Sequence, residues 1–288
     1  MKTIVVATAS YNNLTTRGES TLTRMIDSVR AARAELHRSG LARMVWSWVD
    51  DGSTDGTAEW LRARLRPDDA EHLTANETNN WVAVARNMAV ARFRSDYVHL
   101  FDSDDEMFPG HLVAGVRGLE EPDRDGRRFG VATTRIDMGA TDDIHPEWID
   151  VISAIHVNTT FYRREVWDFV EGLPALAIYR HIGCEDQDMG ATVRPFFAFR
   201  QVPEVTSRYW RYDGNYFDRQ IAKFRHPFGD IGRFTHYARE LQPLHDAREA
   251  YVRDRIRYLK VKLSSATAAS AFAGLKTGPA FTELGLIY

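Results

Sequence analysis

Four acidic residues fall within five positions at Asp102, Asp104, Asp105 and Glu106, directly behind the apolar run Tyr97-Val98-His99-Leu100-Phe101. Asp102 and Asp104 stand two apart, so on an extended chain they project to one side. Carboxylates held that close repel one another unless a cation lies between them. Mg²⁺ and Mn²⁺ are hard ions that accept carboxylates together with phosphate oxygens. The stretch reads either as an Asp-x-Asp site holding a metal against a diphosphate, or as a solvated acidic turn before a helix opened by Pro109. Two more acidic knots occur, Asp50-Asp51-Gly52-Ser53-Thr54-Asp55 and Glu185-Asp186-Gln187-Asp188. Each alone also suits an ordinary turn or a helix start, where carboxylates are favourable.

The elements around these knots follow a regular order. Ile4 to Thr8 is a β-rich run broken by Ser10-Tyr11-Asn12-Asn13. Leu22, Met25, Ile26 and Val29 have helical spacing, and Gly40 ends that helix. Met44 to Val49 is a strand feeding the first acidic knot, and Ala58 to Leu65 is a helix behind it. His72-Leu73-Thr74 is a weak strand and Trp81 to Phe93 a helix, before the strand of Tyr97 to Phe101. The alternation predicts an α/β fold, with a mostly parallel sheet covered by helices on both faces. Open sheets of this kind bind ligands beyond the C-terminal ends of their strands, where the first two knots fall.

The later half is less regular. Glu120 to Arg128 is a turn-rich exposed loop. Gly130 to Met138 and Ile152 to Tyr162 read as strands, Gly139 to Pro146 as a connector, and Arg164 to Val170 as a helix. A helical stretch runs from His245 to about Ala273. Its stripe of Val252, Ile256, Leu259 and Leu263 is flanked by Arg253, Arg255, Arg257, Lys260 and Lys262. Such a stripe packs on a domain, or lies as a basic amphipathic helix on an anionic membrane. The domains expected are 1–206 and a C-terminal extension, 207–288.

The chain has 288 residues, of which 44% are hydrophobic and 27% charged, enough to bury a large core. A formal net charge of −3 gives no general case for nucleic acid or an anionic membrane as partner. Cys184 is the sole cysteine, which excludes an internal disulfide and points to a reducing compartment. The N-terminus enters a strand without the apolar segment of a signal peptide, and no run reaches the ~18 apolar residues needed to span a bilayer. A cytoplasmic protein is expected.

The three knots in this order, with Ser10-Tyr11-Asn12, Ala85-Arg86-Asn87 and Phe161-Tyr162-Arg163-Arg164, resemble the nucleotide-sugar-dependent glycosyltransferases of family 2. The resemblance covers roughly residues 3 to 206 and implies the GT-A fold. It implies a Mn²⁺ or Mg²⁺ ion on Asp104, with Asp102 on the ribose or the metal's water shell and Asp105 supporting. It puts a UDP-sugar donor against Ser10, Tyr11, Asn12, Asp50, Asp51 and Ser103, with Tyr11 stacked on the base and Asp51 accepting the uracil N3–H. Arg86 would reach the diphosphate. Arg208, Arg211 and Tyr212 would close over it, or pack the C-terminal extension. Asp186 would be the general base of an inverting transfer and Glu185 would position the acceptor. At a helix N-terminus Asp186 is expected to be ionised. His226 is the candidate third metal ligand. Ala9 and Trp81 depart from the family pattern, Trp81 where a glycine is usual.

A retaining transferase and a nucleotide-sugar-binding protein without turnover are the alternatives. The acceptor faces residues 139 to 160 and 206 to 240, rich in Trp148, His156, Tyr209, Trp210, Tyr212, Tyr216 and Phe217. Aromatic rings suit a saccharide or lipid-linked saccharide. Their interleaving with Arg208, Arg211, Arg219, Lys223 and Arg225 also admits a nucleic-acid base.

Overall fold

The computed structural model describes residues 1–66, 71–139, 144–212, 242–264 and 270–283, with Glu147 described by its backbone alone. The first half alternates as the pattern predicts: β1 (Lys2–Ser10), α1 (Asn13–Thr16), α2 (Glu19–Ser39), β2 (Ala42–Asp50), α3 (Thr57–Arg64), β3 (Glu71–Ala75), α4 (Val82–Ala91) and β4 (Tyr97–Leu100). Then come β5 (Glu106–Met107), α5 (His111–Glu120), β6 (Arg128–Phe129), β7 (Val131–Asp137) and α6 (Pro146–Ile155). A 3-10 turn (Val157–Thr159) leads into β8 (Thr160–Arg163), α7 (Arg164–Phe169), α8 (Tyr179–Ile182), α9 (Glu185–Val193) and β9 (Phe199–Arg208). The C-terminal stretch adds α10 (Gln242–Leu263), β10 (Leu275–Lys276) and α11 (Pro279–Glu283).

Eight strands form one sheet in the order β3-β2-β1-β4-β8-β7-β9-β5. Strands β1 to β4 run parallel, while β8 is antiparallel to both β4 and β7. Ile4 and Val6 of β1 face a core layer with Leu22, Met25, Leu112 and Val116 of α2 and α5. Val5 and Ala7 face the opposite layer, which holds Ala85 and Ala89 of α4. A sheet covered on both faces needs continuous apolar strands, and that is how Ile4 to Ala7 reads.

Register brings the acidic knots to one edge. Ser10 pairs with Asp50, and Phe101 donates its N–H to Ala7 O. The chain therefore leaves the sheet at Tyr11, Asp51 and Asp102 along the same C-terminal rim.

Several elements differ from their sequence patterns. Ile152 to Tyr162, read as a strand, is the end of α6, the 3-10 turn and the start of β8. Pro146 opens α6, and Trp148 and Ile152, one turn apart, bury together against Ile136, Met138 and Ile144. A helical face with a partner outweighs local β preference. Pro203 lies within β9, so its strand signal is weak, and pairing with β7 supplies the order. Helix α10 begins earlier than expected, with Pro243 in its first turn, and ends at Leu263. Its Leu259 and Leu263 join the core layer of Phe196, Phe197 and Phe272, while Tyr258 and Val261 are exposed. Among the described residues no helix is long and apolar enough to cross a membrane.

Helix α5 approaches β8 closely because Gly115 has no side chain. A Cβ there would lie 2.3 Å from Phe161 Cε1 and 2.4 Å from Cδ1. Gly115→Ala should therefore destabilise the fold by about 1–3 kcal/mol, the cost of overpacking a closed core. Urea unfolding measures it, and an unchanged midpoint would show that the ring yields.

Candidate active site

The first knot is largely spent on the rim's own turn. Asp50 is buried and accepts hydrogen bonds from Ser53 N–H at 3.0 Å and Ser53 Oγ at 2.6 Å. Burial pushes its carboxyl up, against the pull of those donors. Ser10 Oγ accepts the Trp48 indole N–H at 2.8 Å and donates to Asp50 Oδ2 at 3.3 Å. Asp51, also buried, receives Asn80 N–H at 3.0 Å and the Asn76 amide at 2.8 Å. A carboxylate has about four acceptor positions, so Asp51 retains capacity beside these bonds. Gly52, at φ 79°, makes the turn possible, because its Cα lies against the Thr78 backbone. Tyr11 is 46% exposed on the rim. Asn12 is left-handed, at φ 51°, and accepts Thr54 N–H at 2.8 Å. Asn13 then donates to Ser103 Oγ at 2.7 Å, tying the first loop to the second knot.

Each carboxylate of the second knot has a different partner. Asp102 accepts from Arg86, and its own N–H donates to Asn158 Oδ1 at 2.8 Å. Asp104 accepts Arg17 Nε at 2.7 Å. Asp105 is fully buried, accepting from the Asn158 amide and from Trp210 N–H at 2.8 Å. Burial and the neighbouring carboxylates push Asp104 up and Asp105 well up. Arginine thus supplies the counter-charge that the spacing of these aspartates demands. Ligand atoms of Asp102, Asp105 and His156 lie within 4.8 Å of one another, so a cation fits here too. His156 Nδ1 accepts Asn158 N–H at 3.2 Å, leaving Nε2 as its second nitrogen. Carboxylate oxygens with at most one imidazole suit Mn²⁺ or Mg²⁺. The sequence assigned His156 to an acceptor surface, and His226 lies outside the described residues.

The third knot meets the second through Arg86. This buried guanidinium on α4 bonds Asp102 with one NH₂ and Glu185 Oε1 at 3.0 Å with the other. Its Nε has no hydrogen-bond partner among the described residues. Asp186 follows on the first turn of α9, which starts from the left-handed Cys184 without a side-chain cap. Burial and then Glu185 push the Asp186 carboxyl up to about 7, although Gln187 N–H and Arg86 pull it down. The lowering of this carboxyl expected from its helix position is therefore corrected: desolvation outweighs the helix terminus and raises it.

Asp102, Arg86, Glu185 and Asp186 line a cavity of about 880 Å³, shared with Trp81, Trp148, His156 and Tyr209. Trp81 is held at φ 76° and is 41% exposed, beneath the Arg180 guanidinium. Arg208 is not over this cavity: it pairs with Asp137 at 2.8 Å. Tyr212 instead packs beside the second knot, its ring under Arg17 and its hydroxyl 3.2 Å from Asp104 O. Arg211 lies between Trp210 and Tyr212 on the same strap. Tyr216, Phe217, Arg219, Lys223 and Arg225 lie outside the described residues. Arg17, Asn13 and Asn158 were missed by sequence, since lone polar residues in short turns carry no periodic signal.

An α/β sheet with acidic clusters along its C-terminal rim and a cavity between them has the architecture of the GT-A fold. Residues 5–169 match Glycosyl transferase family 2, and the chain belongs to that family. It is 45% identical over 58 residues to the putative teichuronic acid biosynthesis glycosyltransferase TuaG of Bacillus subtilis (strain 168), covering 20% of this chain and 23% of that protein. The aligned segments span about a quarter of the curated relatives matched. The fold resembles S. aureus TarS 1-349 in complex with UDP-GlcNAc, with TM-score 0.56 and 16% identity over 94% of this chain and 88% of that one. It also resembles the mannosyltransferase PcManGT of Pyrobaculum calidifontis in complex with GDP-Man and Mn²⁺, with TM-score 0.55 and 18% identity over 99% and 83%.

Removing the Arg86 guanidinium would leave two acids without their counter-charge. Arg86→Gln should cost about 3–5 kcal/mol in urea unfolding, as expected when a buried pair loses one partner. A loss below about 1 kcal/mol would mean that water compensates Asp102 and Glu185.

Proposed function

We propose that this chain transfers a sugar from a nucleotide-sugar donor to an acceptor hydroxyl, with inversion at the anomeric carbon. One observation carries the reading: Arg86 joins Asp102 of the second knot to Glu185 of the third across one cavity. The knot that would hold the ion and the knot that carries Asp186 therefore share one counter-charge. A protein that merely binds nucleotide sugars has no need of a proton acceptor.

In this reading Asp104 and Asp102 would hold Mn²⁺ or Mg²⁺, while the cluster of Asp102, Asp105 and His156 would offer the ion a second set of ligands. The ion would stabilise negative charge on the departing diphosphate. Tyr11 offers a face for the base and Asp51 an acceptor for the uracil N3–H, which favours a UDP-sugar. The solved relatives carry different donors, UDP-GlcNAc in one and GDP-Man in the other, so the base rests on these two residues. Glu185 orients the acceptor. Asp186 takes the hydroxyl proton as the oxygen attacks. Trp81 and Trp148 on the cavity wall suit a saccharide or lipid-linked saccharide. We assign the enzyme to the cytoplasm, as a chain with a single cysteine, the buried Cys184, suits a reducing compartment. The exposed Arg253 and Arg257 of α10 allow contact with an anionic membrane surface.

Nucleotide binding should require the divalent ion. By calorimetry with Mn²⁺, UDP should bind more tightly than GDP, and Asp104→Ala should abolish the metal-dependent part while the chain stays folded. Full activity in EDTA would overturn the metal requirement, and tighter GDP binding would overturn the donor assignment.

Asp186→Asn keeps the shape of the base and removes its charge. UDP affinity should stay within about threefold while turnover falls roughly 10²-fold or more. A carboxyl held up at about 7 gains ionised fraction as pH rises. For the parent enzyme, kcat/KM should therefore climb about tenfold per unit at acid pH and level off above neutrality. Near-normal turnover of Asp186→Asn would indicate a retaining mechanism or another base, and NMR of the product anomer separates those two.

A further inference from the structure

The last acid of the third knot faces away from the cavity. Asp188 is 1% exposed, and it neither caps α9 nor lines the cavity. Its carboxylate accepts Arg248 Nε at 2.7 Å on Oδ1 and 2.8 Å on Oδ2, and the Tyr179 hydroxyl at 2.7 Å on Oδ2. These three residues come from three helices. Asp188 lies one turn into α9, behind Glu185 and Asp186. Tyr179 begins α8, whose residues Tyr179, Arg180 and His181 line the cavity wall. Arg248 belongs to α10, beyond the 5–169 segment that matches the family.

The start of α9 needs such a tie. Cys184 at φ 73° and Gly183 at φ 59° form a strained turn, and no side chain caps the helix. A charge-assisted bond from a guanidinium to a buried carboxylate is strong and directional. Farther along, α10 is fixed to the domain by Leu259, Leu263 and the Lys262–Glu171 pair at 2.9 Å. The helix is therefore a rigid strut whose N-terminal half reaches α9.

We propose that Arg248 is a positioning residue for the transfer: through Asp188 and Tyr179 it sets the angle of α9, and hence the aim of Asp186, together with the α8 wall. The C-terminal helix is then part of the acceptor side of the site. This rests on the glycosyl-transfer reading.

The test uses the full chain with Arg248→Gln, Arg248→Lys and Asp188→Asn. Readouts are Mn²⁺-dependent hydrolysis of UDP-glucose and UDP-GlcNAc, UDP affinity by calorimetry, and amide exchange over residues 179–193. Arg248→Gln should lower kcat about tenfold or more, with donor KM and UDP affinity within about twofold. Exchange over 179–193 should quicken while β1, β2 and β4 stay protected. Arg248→Lys, which keeps the charge, should restore at least about a third of kcat. If Arg248→Gln fails to fold, Asp188→Asn carries the same expectation, since it keeps shape and the Tyr179 bond. A kcat within about twofold of the parent overturns the proposal. So does a fall shared equally by donor affinity, or one that Arg248→Lys does not relieve. If the parent hydrolyses no nucleotide sugar, the transfer reading fails instead, and exchange over 179–193 decides the positioning role by itself.

Discussion

Everything at this site depends on a buried arginine between two acids. Arg86 could not be buried alone, because desolvating a guanidinium is costly. Asp102 and Glu185 could not stand so near each other without it. The three elements that carry them, α4, the β4 rim and α9, are therefore fixed relative to one another by charge as much as by packing. Asp102 and Glu185 remain partly exposed along the cavity, at 22% and 11% of their side-chain surfaces. The pair is structural on one side and available to ligand on the other.

That arrangement is possible because of where the parallel strands end. β1, β2 and β4 leave the sheet along one rim, and their loops cross-tie through Asn13 to Ser103 and Asn12 to Ser53. The rim of the first two knots is thus a set of short, hydrogen-bonded turns on the sheet. The other side of the cavity is built from α6, α8 and α9. The first needs only correct register. The second needs long-range partners such as Arg248, drawn from a part of the chain that the family match does not reach.

The same division decides what could be read from sequence. Met44 to Val49 and Tyr97 to Phe101 announce buried strands by composition, and the first two acidic knots follow them within a residue or two. The fold class and the placing of Asp50 and Asp102 on one rim were legible for that reason, whereas Glu185 opens a helix and was joined to them only by the family resemblance. The helix of Pro146–Ile155 was not, because Ile149, Val151 and Ile152 favour strands until Trp148 finds Met138 and Ile136. Charge partners were equally hidden. Nothing in Thr15-Thr16-Arg17-Gly18 indicates that Arg17 reaches Asp104, a contact made across 87 positions. The direction of the Asp186 shift was misread because a helix terminus can be seen in a sequence and burial cannot.

The crowding of Asp102, Asp104 and Asp105 bears on how the donor side works. Like charges demand a counter-charge, yet the demand does not specify its source. Here Arg17 meets Asp104, Arg86 meets Asp102, and the Asn158 amide with Trp210 N–H meets Asp105. In the proposed reaction a divalent ion entering at Asp104 would have to compete with the Arg17 guanidinium, which would lower its affinity in the absence of a diphosphate. A diphosphate would change that balance, since its oxygens can share in holding the ion and can accept the displaced guanidinium. Arg17 can move without losing all contact, because it already stacks on Tyr212, centroid to guanidinium 4.9 Å. Under the proposed function, an internal cation at Asp104 would therefore favour joint binding of ion and nucleotide, while in the structure it supplies the counter-charge that the acidic rim needs.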